Sequence, residues 1–130
     1  AVQDYVAAAN TETMVIPVIE TAEASDAIES ILAVEGWEAI FFGPSDLSQS
    51  RGHMAVWEGP GIAEDILRMA GLAKARGIAT GVIGTSPEDI VRRRDQGFGM
   101  IGLGADAGLL LKLLRQALAP YRPSGATGWY

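Results

Sequence analysis

Cysteine is missing from the 130-residue sequence, and histidine occurs once. The lack of thiols excludes disulfide bonds and thiolate chemistry, and it argues against a secreted scaffold held by disulfides. No apolar run reaches the ~20 residues that a membrane-spanning helix requires. The first residues also lack the basic region and apolar core of a signal peptide. We therefore expect a soluble cytoplasmic protein with no membrane partner.

Positive charge is also scarce. Ten basic side chains face sixteen acidic ones, which gives a net charge of −6. Because no basic stripe is present to meet phosphates, the sequence argues against a nucleic-acid partner.

The hydrophobic share of 48% and the length suit one compact domain. We expect that domain over residues 1–121, followed by a flexible tail over residues 122–130 that is rich in Pro, Gly and small residues. The first residue is Ala, not Met, which favours a fragment or a processed piece.

Short apolar runs alternate with stretches of helical spacing. The runs predict strands over residues 14–19, 39–42, 78–83 and 100–103. The spacing predicts helices over residues 22–34, 62–76, 87–96 and 108–119, and residues 1–12 as the end of a helix or a connection. Pro17 is an objection to the first strand, since proline cannot donate to a ladder. The order fits either four consecutive units of a (β/α)₈ barrel or a small open doubly wound sheet.

Local signals mark several element boundaries. Thr21 can cap the first of these helices, and Ser86-Pro87 is a strong helix start. Gly77 and Gly97 stand where helices should stop. We predict a long loop over residues 47–61, a length that is often functional in a compact domain.

Polar residues follow the strands at the ends where chemistry occurs in both architectures: Glu20, Asp46, Thr85 and Asp106. Two carboxylates on neighbouring strand ends can meet, and hard oxygen ligands of this kind suit Mg²⁺ or Mn²⁺. The alternative is structural: Asp46 caps the next helix and Glu20 is solvated.

Glycine-bearing strand ends form a second group of candidates. At residues 43–46 a Gly lets the backbone approach a ligand, and N–H groups at a helix start can bind a carboxylate, although an ordinary βα turn has the same spacing. Residues 81–85 and 102–106 correspond to loops that often bind phosphate in barrels, but neither is a nucleotide motif. The simpler interpretation of Asp106 is a helix N-cap.

The remaining side chains with chemical functions argue against a Schiff-base mechanism and against a Ser-His-Asp mechanism. His53 lies in the predicted loop, where a solvated histidine is the simpler interpretation than a base or ligand, and Trp57 is either a packing residue of a lid or without a role. Lys74 and Lys112 fall inside helices, far from the predicted strand ends, so the chain offers no lysine for a Schiff base. With one His and no nucleophile elbow, no Ser-His-Asp set is present.

Several blocks of the sequence resemble the HpcH/HpaI aldolase family, which also includes citrate-lyase-like enzymes. They are residues 16–21, 31–36, 41–48 and 97–106. The GPSDL block at residues 43–47, with an acid at the upstream strand end, is fairly specific for the family, and the similarity extends nearly to Tyr121.

The resemblance implies the second half of a TIM (β/α)₈ barrel and a metal-dependent class II pyruvate aldolase. It assigns the metal ligands to Glu20 and Asp46, with Mg²⁺ or Mn²⁺ as the expected cofactor and Co²⁺ as a further candidate. It assigns binding of the pyruvate carboxylate to backbone amides of Gly43, Pro44, Ser45 and Asp46, of which Pro44 has no N–H. Chelation of pyruvate would stabilise the charge that develops when the C–C bond breaks.

The chain departs from the family in two ways. Val18 stands where the family often has Gln, and the family's catalytic arginine and acid/base histidine lie in the first half of the barrel, so the catalytic residues are unknown here. Four strands cannot close an eight-stranded barrel. The resemblance therefore implies a fragment, half of a split protein, or a dimerising half-barrel. It also implies a homo-oligomer, often a hexamer that exchanges the last helix and so covers residues 109–114.

These implications lead to one expected function and two alternatives. The expected function is cleavage of a 4-hydroxy-2-keto acid to pyruvate and an aldehyde, once the missing half is supplied. The alternatives are a CoA-ester lyase of citrate-lyase type and a catalytically silent binding or assembly subunit.

Overall fold

The computed structural model describes residues 2–54 and 56–121, and its centre is a four-stranded parallel sheet. The strands are β1 (Val18–Ile19), β2 (Ala39–Phe42), β3 (Ala79–Ile83) and β4 (Met100–Gly102). Each strand pairs with the next one along the chain, in the order β1-β2-β3-β4. Consecutive βα units produce this order, and it brings all four carboxyl ends to one edge of the sheet.

Helices occupy the connections between the strands and both ends of the described chain. They are α1 (Val2–Glu12), α2 (Ala22–Asp26), α3 (Ile28–Leu32), α4 (Pro44–Ser50), α5 (Ile62–Ala75), α6 (Pro87–Asp95) and α7 (Asp106–Leu118), followed by a 3₁₀ turn at Ala119–Tyr121. None of the helices in the described ranges is long and apolar enough to cross a membrane. The predicted tail over residues 122–130 lies outside the described residues.

The helix starts agree with the sequence signals. The Thr21 hydroxyl accepts a hydrogen bond from the Ala24 N–H at 3.1 Å, and the Ser86 hydroxyl accepts one from the Asp89 N–H at 3.2 Å. Pro87 occupies the first turn of α6, where its missing N–H costs nothing. Gly97 follows that helix with φ of 93°, a left-handed conformation that favours glycine.

Two predicted elements differ clearly from the structure, whereas the other predicted strands and helices agree with it to within two residues at each end. The first strand shrinks to its last two residues because Pro17 has no N–H for the ladder, although its carbonyl still accepts from the Phe41 N–H at 2.9 Å. The predicted helix over residues 22–34 is two short helices, interrupted at Ala27 with φ −94° and ψ 12°.

The predicted loop over residues 47–61 is wrong at its start. Residues 47–50 belong to α4, which opens with Pro44 in its first turn, and the irregular segment is therefore shorter. Buried Ser48 holds that segment, because its hydroxyl accepts from the Gly59 N–H at 3.0 Å.

The two faces of the sheet differ in burial. Ile40, Phe42 and Val82 are fully buried in the core, and the Phe42 ring meets the edge of Phe98 at a centroid distance of 6.2 Å. Burying a side chain of this size contributes about 1.5–3 kcal/mol. The opposite face is more open: Val18 is 49% exposed, whereas its neighbour Ile19 is 2% exposed. One face of the sheet thus remains partly uncovered by the described residues.

Helix α7 contributes almost nothing to this core. None of its residues is buried, and six of its leucines are exposed: Leu109, Leu110, Leu111, Leu113, Leu114 and Leu118. An exposed apolar surface of this kind marks an interaction site in most soluble proteins.

Candidate active site

The site lies where β1 and β2 end. Ile19 and Phe42 are partners in the ladder, and the Gly43 N–H extends the ladder by donating to the Ile19 carbonyl at 3.1 Å. Glu20 follows directly after Ile19, so its side chain is placed beside Gly43. Asp46 comes from the first turn of α4, which begins one residue after Gly43.

Glycine at position 43 makes the space that this arrangement needs. A Cβ atom at Gly43 would stand 2.9 Å from the Cβ and 3.1 Å from Oε2 of Glu20, and 3.7 Å from Oδ2 of Asp46. Oε2 of Glu20 and Oδ2 of Asp46 therefore both lie near the position of that Cβ atom. The distance between these two oxygens is at most the sum of 3.1 and 3.7 Å. The structure brings together the two acids that the sequence singled out.

The donor set of this pair fits a hard divalent cation. Both side chains are exposed, and neither carboxylate has a hydrogen bond or an ion pair with another described residue, so their oxygens are available. Within the described ranges no third His, Cys, Asp or Glu joins them in a cluster. Mg²⁺ is commonly held by one or two carboxylates, with water and substrate oxygens completing its shell.

The corner after β2 provides fewer N–H donors than its four residues suggest. The Gly43 N–H is used in the ladder, and Pro44 has none. The N–H groups of Ser45 and Asp46, in the first turn of α4, have no acceptor among the described residues. Of the predicted substrate-binding residues, these two are left with donors that could meet a carboxylate.

The end of β3 is organised by a buried carboxylate. Asp89 accepts hydrogen bonds from the Thr85 N–H at 2.9 Å, from the Thr85 hydroxyl at 3.0 Å, and from Arg92. Burial alone would raise the pKa of Asp89, but the hydrogen bonds from Arg92 and Thr85 outweigh it and lower this pKa to about 2. Asp89 is therefore ionised at neutral pH and fixes the Thr85 side chain.

A buried arginine joins this cluster to the loop before α5. Arg93 is 1% exposed and forms an ion pair with Glu58. Its Nε lies 3.2 Å from Asp89 Oδ1, an ion-pair distance, but the geometry is too poor for a hydrogen bond. The i,i+4 spacing of Asp89 and Arg93 was visible in the sequence, whereas no sequence signal indicated the distant partner Glu58.

Three other residues singled out in the sequence lie differently from expectation. The N-cap of α7 is Ala105, and Asp106 is the first helical residue, whose Oδ1 accepts from the Ala107 N–H at 2.7 Å. The half-buried His53 ring packs on Gly59, and it joins no metal-type cluster of the described residues. The expectation that Lys112 lies far from the strand ends is wrong, because it lines a hollow together with Thr85 and Leu103.

The architecture is that of an α/β protein, and the carboxylate pair places its candidate site at the carboxyl ends of parallel strands. The chain matches the model of the HpcH/HpaI aldolase/citrate lyase family over residues 2–112, and it belongs to that family. It is 35% identical over 121 residues to a hydroxypyruvate/pyruvate aldolase of Roseovarius nubinhibens, covering 93% of this chain and 47% of that protein.

Solved structures give the same result for the fold. A crystal structure of an HpcH/HpaI aldolase/citrate lyase family protein from Burkholderia cenocepacia has a TM-score of 0.82 and 32% identity, over 93% of this chain and 47% of that one. The crystal structure of the citrate synthase SbnG has a TM-score of 0.81 and 31% identity, over 92% and 49%. The chain spans about half the length of the relatives it matches, and these neighbours are TIM-barrel-like.

Proposed function

We propose that the chain is the C-terminal half of a (β/α)₈ barrel in a divalent-metal-dependent aldolase. The proposed reaction cleaves a 4-hydroxy-2-keto acid to pyruvate and an aldehyde, and it requires the complementary half of the barrel. The observation that carries the proposal is the approach of Glu20 Oε2 and Asp46 Oδ2 to one point above Gly43. The aldolases among the relatives support the reaction class.

Glu20 and Asp46 are the residues that would hold the cation, with Mg²⁺ or Mn²⁺ favoured by their hard oxygens and Co²⁺ as a further candidate. A bound cation of this kind supplies Lewis-acid polarisation of carbonyl and carboxylate oxygens. Beside it, the unpaired N–H groups of Ser45 and Asp46 would bind and orient the substrate carboxylate through charge-assisted hydrogen bonds.

The proton that moves during cleavage needs an acid or base that the described residues do not place beside the carboxylate pair. His53 packs on Gly59 in the loop before α5, and it does not cluster with Glu20 and Asp46. We assign the proton transfer to the complementary half, which in the family carries a catalytic arginine and histidine. The partly open face of the sheet is the surface that such a half would cover.

Assembly with other chains is part of the proposal. The exposed leucines of α7 favour association, in a homo-oligomer or with the complementary half-barrel.

Two alternative functions are compatible with the same site. A CoA-ester lyase of citrate-lyase type would use the same carboxylate pair, and the family's description includes citrate lyase. A catalytically silent binding or assembly subunit would keep the fold and the cation without turnover.

Deuterium exchange at C3 of pyruvate tests the proposal. The chain, combined with the complementary half of the barrel, is incubated with pyruvate in D₂O with Mg²⁺, Mn²⁺ or Co²⁺, and exchange is followed by proton NMR. We expect exchange that needs the cation, is lost in Glu20→Gln and Asp46→Asn, and persists in Glu35→Gln, an exposed acid elsewhere in the chain. Cation binding without exchange by the combined halves would favour the silent subunit.

A further inference from the structure

Asp46 and Ser50 stand four residues apart in α4, so their side chains lie on the same face of this helix. The Ser50 hydroxyl accepts a hydrogen bond from the Ala22 N–H at 2.9 Å. Ala22 is the first residue of α2, and it follows Glu20 by two positions. The face of α4 that carries one carboxylate of the candidate site therefore also holds the segment that carries the other carboxylate.

The backbone around Glu20 is attached on both sides to the unit that carries the second carboxylate. Before Glu20, the Ile19 carbonyl accepts from the Gly43 N–H at 3.1 Å. After it, the first N–H of α2 donates to Ser50. Two residues separate these attachment points, and the second of them, Thr21, has an extended backbone with φ −123° and ψ 156°. So short a segment with both ends fixed has few conformations, and Glu20 is thereby placed relative to α4.

The Ser50 hydroxyl is also the acceptor that the start of α2 requires. The first N–H groups of a helix have no partner inside the helix. Thr21, the N-cap residue, accepts from the Ala24 N–H at 3.1 Å and leaves the Ala22 N–H to an acceptor outside the helix. Because that acceptor comes from α4, the hydrogen bond joins residues 28 positions apart in the chain.

The residue after Ser50 attaches the other end of α2. Arg51, the C-cap residue of α4, forms an ion pair with Asp26, the last residue of α2, at 2.6 Å between Nη2 and Oδ1. The same Nη2 lies 3.6 Å from Oδ2 of Asp65, which accepts a hydrogen bond from the hydroxyl of buried Ser25. The end of α4 therefore contacts both the first and the last residue of α2, so the Ser50 contact belongs to a larger junction between the two helices.

We propose that Ser50 is a positioning residue of the cation site, an inference that rests on the proposed metal-dependent function. Its hydroxyl holds the segment that follows Glu20 against α4, and this keeps the Glu20 carboxylate where it can share one ion with Asp46. Among the described residues, the Ser50 hydroxyl bonds to Ala22 and to neither carboxylate. Without this bond, Glu20 has more conformational freedom to lose on binding the ion, so the affinity falls although both ligands are still present.

Isothermal titration calorimetry of the intact chain with Mn²⁺ tests this role. Ser50→Ala should weaken binding about three- to tenfold, because the net contribution of one hydrogen bond limits the affinity that it can provide. Ser50→Thr keeps a hydroxyl, and its exposed position has room for the added methyl group, so this variant should restore the wild-type affinity. Ser86→Ala is the matched control, since it removes the hydroxyl that caps α6 by accepting from the Asp89 N–H. It should leave the Mn²⁺ affinity unchanged.

The same titrations separate this role from simple helix capping and from the cation site itself. Urea unfolding without Mn²⁺ verifies that each variant is folded. Wild-type affinity in Ser50→Ala, an equal loss in Ser86→Ala, or no recovery in Ser50→Thr would each overturn the role of Ser50 while the proposed function stands. Absence of saturable Mn²⁺ binding by the wild type would overturn the cation site, and this inference with it.

Discussion

The side chain of Glu20 lies against the backbone of Gly43, close enough that a Cβ atom on Gly43 would stand 2.9 Å from Glu20 Cβ. This contact joins two successive βα units at the point where their carboxylates meet. The φ of Gly43 is −103°, which is accessible to any residue, so its backbone conformation does not require glycine. The role of glycine at this position is therefore steric.

Replacing Gly43 with alanine should therefore move Glu20 without straining the backbone. We expect a loss of Mn²⁺ affinity of about 10–100-fold, the range found when the partners that orient metal ligands are altered. Isothermal titration calorimetry measures it. Gly99→Ala is the matched control, because a Cβ atom there meets nothing within 4 Å. Equal affinities in the two variants would contradict the steric role.

The ionised Asp89 predicts a specific pH dependence of stability. Its pKa is lowered from 3.8 to about 2 in the folded chain. Its contribution to the free energy of unfolding is therefore complete above the unfolded pKa of 3.8, and it is lost as the pH falls from that value through the folded pKa. By linkage the contribution at neutral pH is about 2 kcal/mol.

Urea unfolding of the wild type and Asp89→Asn from pH 7 to pH 2 measures this contribution. The difference in unfolding free energy between the two proteins should be about 2 kcal/mol at pH 7 and should narrow progressively below pH 4. Asp95→Asn, at an exposed pair with Arg94, is the control and should show little effect at any pH. A difference that is independent of pH would show that Asp89 acts through something other than its charge.

The buried pair of Arg93 and Glu58 should be strongly coupled. Removing one partner leaves the charge of the other buried without a counter-charge. We therefore expect Arg93→Met and Glu58→Gln each to destabilise the chain by about 3 kcal/mol. The double variant should lose clearly less than the two single losses combined.

A double-mutant cycle by urea unfolding measures the coupling, and hydrogen exchange shows whether the segment around Gly59 opens in the single variants. The exposed Arg94→Met should change stability by no more than about 0.5 kcal/mol. Strict additivity of the Arg93 and Glu58 variants would argue that the pair does not anchor the loop.

Local signals were sufficient to predict much of the fold. Ser86-Pro87 and Thr21 begin helices as predicted, since capping depends on residues within one turn. The strand over Ala39–Phe42 was predicted with its observed bounds, because a continuous apolar run between turn residues has few alternatives. The interruption at Ala27 was missed, since alanine is a good helix former and nothing in its own type indicates a break.

The candidate site was predictable where it depends on strand ends and not where it depends on tertiary packing. Glu20 and Asp46 follow predicted strands, and parallel topology brings such residues together. The pairing of Glu58 with Arg93 joins residues far apart in the chain, and the position of Lys112 depends on the direction of α7. No periodicity or motif in the sequence indicates the Glu58–Arg93 pairing or the position of Lys112.

Direct titration of the chain with Mn²⁺ tests the central claim that Glu20 and Asp46 share one cation. The account predicts saturable binding of one ion per chain, weakened more than about 100-fold in Glu20→Gln and in Asp46→Asn, because each variant removes a direct ligand. Glu35→Gln should bind as the wild type does. Absence of saturable binding in the wild type, or undiminished binding in either variant, would contradict the account.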